Sequence, residues 1–186
     1  MNYVIDNLFI GSYDDSIDTN QLVKNNILHV INVAKECNHY NKLNNITYHK
    51  FDIDDCKNFS ENVFNDVFNL INMFSENREN VIIHCKHGMS RSATFVLYYL
   101  IKKHNFSLEK SIKYLKKCRN IVDPSIVLIN MLTKYDTSFD IKKEGIKYIT
   151  NIIDISNIDN EYINNLIIIF NYDFNKVINE LLNLQL

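Results

Sequence analysis

Val81-Ile82-Ile83-His84-Cys85-Lys86-His87-Gly88-Met89-Ser90-Arg91-Ser92 is the stretch that decides the fold. Val81 to Ile83 is a short β-branched apolar run and reads as a buried strand. The continuation, Ala93-Thr-Phe-Val-Leu-Tyr-Tyr-Leu-Ile-Lys-Lys103, reads as a buried helix. A loop between a strand and a helix N-terminus turns backbone N–H groups and the positive end of the helix dipole on whatever occupies it. An anion belongs there. Arg91 adds a planar fork of donors that fits two oxygens of a phosphate. Gly88 lets the backbone turn with positive φ and approach the ligand closely. The same field favours the thiolate of Cys85, which places its pKa within the range of about 3.5–7.5 found for activated cysteines. The plain alternative is an inert buried thiol, but packing alone gives no reason for Gly, Ser and Arg at these spacings.

Working outward, Leu8 to Ser12 reads as a strand ended by a turn, and Asp18 to Asn25 as a short helix. Leu28 to Val33 is a second strand, and Ile46 to Phe51 a third with alternating character. A helix from about Ser60 to Ser75 carries Val63, Phe64, Val67, Phe68, Ile71 and Phe74 on one face. After the Cys85 loop comes the helix from Ser90. Ser107 looks like the N-cap of a further helix with Leu108, Ile112 and Leu115, and Pro124 suits the first turn of another running to about Tyr135. Strands alternating with helices imply an α/β fold: a central, mostly parallel sheet flanked by helices. The loop then lies at the C-terminal end of a strand, where open α/β sheets bind ligands.

His84-Cys85-x5-Arg91-Ser92 is similar to the signature of the cysteine-based protein tyrosine phosphatase superfamily, and its Ser90-Arg91-Ser92 ending resembles the dual-specificity branch. Asn7-Leu-Phe-Ile-Gly-Ser12, Ile27-x-x-Val-Ile-Asn-Val33 and Ser107-Leu-Glu-x-Ser-Ile112 resemble segments of that branch in the same order, so the resemblance covers about residues 1–136. Pro124-Ser-Ile-Val-Leu departs from it, lacking the Asn-x-Gly-Phe opening usual at that helix. The resemblance implies that Cys85 is the nucleophile. Arg91 and the loop from Lys86 through His87, Gly88, Met89 and Ser90 would bind the phosphoryl group, with the Lys86 and His87 side chains at the rim. His84 would hold the loop and help keep Cys85 ionised, while Ser92 would assist departure of the sulfur.

An acid must protonate the leaving oxygen. The resemblance puts it on a loop after a strand, about 30 residues before the nucleophile and nine before a helix aromatic. Asp55 fits both counts, with Asp54 of Asp52-Ile-Asp54-Asp55-Cys56 as the runner-up. The activity implied is hydrolysis of phosphotyrosine and phosphoserine or phosphothreonine through a phosphocysteine. The absence of Trp argues against a deep tyrosine-only pocket. An RNA 5′-triphosphatase is the alternative enzyme, favoured by His87 but not by the Ser-Arg-Ser ending. A phosphoinositide phosphatase would carry Lys where Met89 stands. A phosphate-binding adaptor would have lost Cys85 or Arg91.

Composition narrows the rest. The chain has 186 residues, 46% of them apolar, and a net charge of −2, so nothing draws it globally to nucleic acid or anionic membrane. No stretch reaches the roughly 18 apolar residues of a membrane span. The first residues lack a basic n-region. Cys37, Cys56, Cys85 and Cys118 are scattered without metal-ligand spacing, and His29, His39, His49 and His104 show none either. No metal or cofactor is expected, and the compartment is cytoplasmic, with the nucleus as alternative. Cys56 could resolve an oxidised Cys85. The expected partners are phosphorylated proteins. Residues 1–136 are expected to form the catalytic domain and 137–186 a helical extension. Phe174, Val177, Ile178, Leu181 and Leu182 follow helical spacing after Asp173, and Tyr162, Leu166, Ile169 and Phe170 form a second stripe. These stripes need a partner, either the catalytic domain or another protein. The first weakly resembles a small ubiquitin-associated-type module.

Overall fold

The computed structural model describes residues 1–38, 43–55, 59–136, 149, 158, 162–163, 166 and 174–183. Two compact units divide the chain, Met1–Asp136 and Thr137–Leu186.

The first unit is built on five strands: β1 (Asn2–Ile5), β2 (Leu8–Gly11), β3 (Ile27–Asn32), β4 (Thr47–Lys50) and β5 (Asn80–His84). Their order across the sheet is β1-β2-β5-β3-β4. All neighbours are parallel except β1, which pairs antiparallel with β2. The central position of β5 explains its unbroken apolar run, since a strand covered on both faces has no polar side. Phe9, Ile82 and Val30 lie in one register row and pack with Leu22, Ile27 and Ile46. Ile10, Ile83 and Ile31 form the next row, point to the opposite face by the period of two, and are equally buried.

The helices are α1 (Tyr13–Ile17), α2 (Thr19–Lys24), α3 (Glu61–Glu76), α4 (Arg91–His104), α5 (Leu108–Cys118) and α6 (Ile126–Thr133). Every residue of α4 from Arg91 to Ile101 is buried, as expected for a helix apolar on all sides. On α3, Phe64, Val67, Ile71 and Phe74 are buried, and Phe64 and Phe68 meet Tyr98 of α4 edge-on or tilted. Ser107 caps α5 by accepting from the Lys110 N–H.

Three features differ from expectation. The chain after β2 is not a mere turn: Ser12 and Asp15 form a reciprocal capping box that starts α1. Five residues are too few for periodicity to reveal such a helix. β1 also escaped the sequence reading, because a four-residue edge strand carries little pattern. Finally, α6 starts at Ile126 with Ser125 as N-cap, so Pro124 stands before the helix rather than in its first turn.

In the second unit, α7 (Phe174–Asn183) buries Val177, Ile178 and Leu181, while Leu182 is exposed. Of the earlier stripe, Leu166 is buried as expected, whereas Tyr162 is 40% exposed and its neighbour Ile163 is buried instead. Ile169, Phe170 and Asp173 lie outside the described residues, as do His39 and Cys56. No helix among the described residues is long and apolar enough to cross a membrane.

Candidate active site

Parallel strands place their C-terminal ends on one edge, so the segments after β3, β4 and β5 converge there. Val33 N–H donates to the His84 carbonyl at 2.9 Å, Phe51 N–H to Asn32 at 2.8 Å, and Lys35 N–H to Ile53 at 3.2 Å. These bonds knit the three segments together. The loop from Cys85 to Ser90 begins where β5 ends, and Ser90 is the N-cap of α4. His84 is fully buried, with Nδ1 at 3.1 Å from the Cys85 carbonyl oxygen. Gly88 has φ of +68°, and a Cβ there would stand 2.4 Å from the Gly11 carbonyl oxygen. Only glycine fits.

Cys85 is 3% exposed. Its Sγ lies 3.3 Å from the Ser92 hydroxyl and receives the Gly88 N–H at 3.3 Å. Burial pushes the thiol up, but bonds from the Ser92 hydroxyl and from the amides of Ser92, Gly88 and Met89 outweigh it and hold the pKa below the ordinary thiol range. Lys86, His87 and Met89 are exposed, which places the first two side chains at the rim.

Arg91 is 2% exposed. Glu36 grips it end-on: Nη1 donates to Oε2 at 2.8 Å and Nη2 to Oε1 at 2.5 Å. Nη1 also donates to the Ile53 carbonyl at 3.0 Å. Nε has no hydrogen-bond partner among the described residues. The edge formed by Nε–H and the second Nη2–H is not taken by Glu36 and faces the Asp55 carboxylate, 3.5 Å from Nε; it has the fork geometry that fits two oxygens of a phosphoryl group. Glu36 holds its own carboxyl down to about 2 through the bond from Arg91, against an opposing effect of burial.

Glu36 was missed in the sequence. Its segment is pinned by Lys50, whose Nζ donates to the carbonyls of Ala34 (2.5 Å), Lys35 (3.1 Å) and Cys37 (2.5 Å). Asn32 adds bonds to Ala34 N–H and the Cys37 carbonyl. The one available signal was position, a carboxylate just past the end of a central strand. Asp55 lies with Oδ1 at 3.5 Å from Arg91 Nε, whereas Asp54 turns toward Lys35 at 3.8 Å. The two adjacent carboxylates thus point to different cations. Among the described residues no group of His, Cys, Asp and Glu could hold a metal ion; His29 instead stacks on Phe74 with ring centroids 3.6 Å apart.

The site thus brings together a buried, amide-bound cysteine and a buried arginine on one strand–loop–helix unit. Residues 8–138 match the model of the dual specificity phosphatase catalytic domain. The chain belongs to that family. It is 27% identical over 143 residues to the protein phosphatase Slingshot of Drosophila melanogaster, covering 75% of this chain and 13% of the relative. It is 29% identical over 132 residues to dual specificity protein phosphatase 2 of Mus musculus, covering 70% of this chain and 41% of the relative. The chain thus spans less than half the length of either. The crystal structure of DUSP15 superposes with a TM-score of 0.69 at 25% identity, covering 74% of this chain and 88% of that one. The dual-specificity phosphatase fold is therefore the one described here.

Proposed function

We propose that this protein is a metal-independent protein phosphatase that hydrolyses phosphotyrosine and phosphoserine or phosphothreonine through a phosphocysteine. The observation that carries this is the Cys85 thiol, buried and bonded by loop amides and the Ser92 hydroxyl that lower its pKa, on the loop that leads into Arg91. In the first step the Cys85 sulfur attacks phosphorus, the bond to the leaving oxygen breaks, and Asp55 gives that oxygen its proton. The phosphoryl charge rests on Arg91 and the loop N–H groups. In the second step water attacks the phosphocysteine, Asp55 takes back a proton, and the S–P bond breaks to release inorganic phosphate. The Ser92 hydroxyl, 3.3 Å from the sulfur, donates to the departing thiolate. Lys86 and His87 draw dianionic substrates to the rim.

A reducing compartment, cytoplasmic or nuclear, suits chemistry that needs a free thiol; Cys37, Cys85 and Cys118 are all free. The substrates would be phosphorylated signalling proteins, with the α7 region available to a protein partner.

Cys85→Ser should abolish hydrolysis of phosphotyrosine and phosphothreonine peptides while leaving oxyanion binding by the loop in place. Turnover by the variant above a few per cent, or dependence of the native enzyme on an added divalent ion, would overturn the thiolate mechanism. In a substrate panel, faster release of phosphate from 5′-triphosphate RNA than from either peptide would replace the protein-phosphatase reading.

A further inference from the structure

We propose that Arg119 is a positioning residue that aims the two loop amides at the Cys85 sulfur by holding their carbonyls from the outside, a role that rests on the phosphatase reading above. A trans peptide unit is planar and its N–H and C=O point in opposite directions. The unit joining His87 to Gly88 directs its N–H to Cys85 Sγ at 3.3 Å, and its carbonyl accepts from Arg119 Nη2 at 3.1 Å. The next unit, from Gly88 to Met89, directs its N–H to the same thiol, and its carbonyl accepts from Arg119 Nε at 3.0 Å. One guanidinium therefore grips two of the three peptide units whose N–H groups face the nucleophile, the third being that of Ser92 at the start of α4. The unit after that is held by the same segment of chain, since Asp123 N–H donates to the Met89 carbonyl at 2.9 Å.

The guanidinium is itself fixed. Nη1 donates to Asn2 Oδ1 at 2.7 Å and stands 3.4 Å from Asp15 Oδ2, and the side chain is 11% exposed. Arg119 caps the C-terminus of α5, its N–H donating to the Leu115 carbonyl at 2.9 Å. A cation bonded to a carbonyl also polarises the peptide unit, making the N–H on its far side a stronger donor. The positive charge thus reaches the thiolate through two peptide units without entering the pocket, leaving the interior to Arg91 and the phosphoryl group. Lysine does not reproduce this arrangement, because its donors radiate from one nitrogen, whereas Arg119 spreads its bonds to two carbonyls and Asn2 over Nε, Nη2 and Nη1.

The test is the pH titration of Cys85 itself, followed by iodoacetamide labelling of the Cys85 peptide in the full chain, with melting temperature measured alongside. In Arg119→Ala and Arg119→Lys the midpoint should move up by about one pH unit, a tenfold loss of thiolate at a given acid pH. Inorganic phosphate should inhibit about tenfold more weakly, as charge-assisted bonds no longer order the loop. Methylguanidinium should restore the Arg119→Ala midpoint but not that of Arg119→Lys. Asn2→Ala, which keeps the arginine and removes one of its anchors, should shift the midpoint in the same direction by less; it decides the matter if the Arg119 variants do not fold. A folded variant with an unchanged Cys85 midpoint overturns the proposal and makes Arg119 merely structural. Labelling reports the thiol whether or not phosphopeptides are turned over, so an inactive native protein with a normal Arg119 effect would count against the phosphatase reading alone.

Discussion

Two neighbouring carboxylates in one loop do different things because one backbone step changes their partner. Asp55 faces Arg91 Nε at 3.5 Å, while Asp54 is drawn to Lys35. Asp55→Asn should therefore slow turnover of substrates with poor leaving groups, such as phosphoserine or phenyl phosphate, by about 10²–10⁴-fold. An activated aryl phosphate, whose leaving group departs without a proton, should be much less affected. Asp54→Asn should leave both rates close to native. Comparing kcat on the two substrate types checks this, and a leaving-group-dependent loss in Asp54→Asn instead would move the acid by one residue.

At the scale of elements, the nucleophile loop works because β5, the loop and α4 are contiguous and their neighbours close around them. β2 contributes through Gly11, whose carbonyl oxygen occupies the space a side chain at position 88 would need. Gly88→Ala should thus incur both the left-handed backbone cost, roughly 1–2 kcal/mol for a residue with a Cβ, and a displacement of the loop against β2. Calorimetry should show a lower Tm, and inorganic phosphate should inhibit more weakly because the Gly88 and Met89 amides no longer converge. A variant with native Tm and native inhibition would show that the loop tolerates a different backbone conformation.

Across the whole first unit, the Glu36–Arg91 ion pair ties the segment after β3 to the start of α4, and it makes stability depend on pH. Glu36 titrates at about 2 in the fold against an ordinary 4.5. The unfolded chain therefore binds a proton first as pH falls, and the stabilisation is complete above about 4.5 and lost progressively toward 2. Glu36→Gln should lower stability at neutral pH and remove that part of the acid-side decline, as read from denaturant midpoints between those pH values. A decline as steep as the native one would assign the titration to other carboxylates, Asp15 among them, whose pKa is also lowered: burial raises it, and bonds to the N-terminal ammonium and Ser12 outweigh that.

The sequence by itself determined the longer local elements, while the four-residue β1 and five-residue α1 carry too little pattern to be read. A β-branched run, a loop with Cys85, Gly88 and Arg91 at fixed spacing, and an all-apolar helix specify the strand–loop–helix unit and its chemistry, because periodicity and loop residues act over a few positions. The same holds for α3, whose face is written in its spacing, and for the Ser107 cap of α5. Only tertiary structure decided which polar groups meet across the chain. Glu36 reaches Arg91 over 55 positions, and Arg119 reaches Gly88 over 31. Neither pair has a period or a motif, since a single ion pair or hydrogen bond depends on where two remote segments are brought by strand order. Sheet order placed the segments after β3, β4 and β5 on one edge, and that convergence chose Asp55 to face Arg91 and left Asp54 to Lys35.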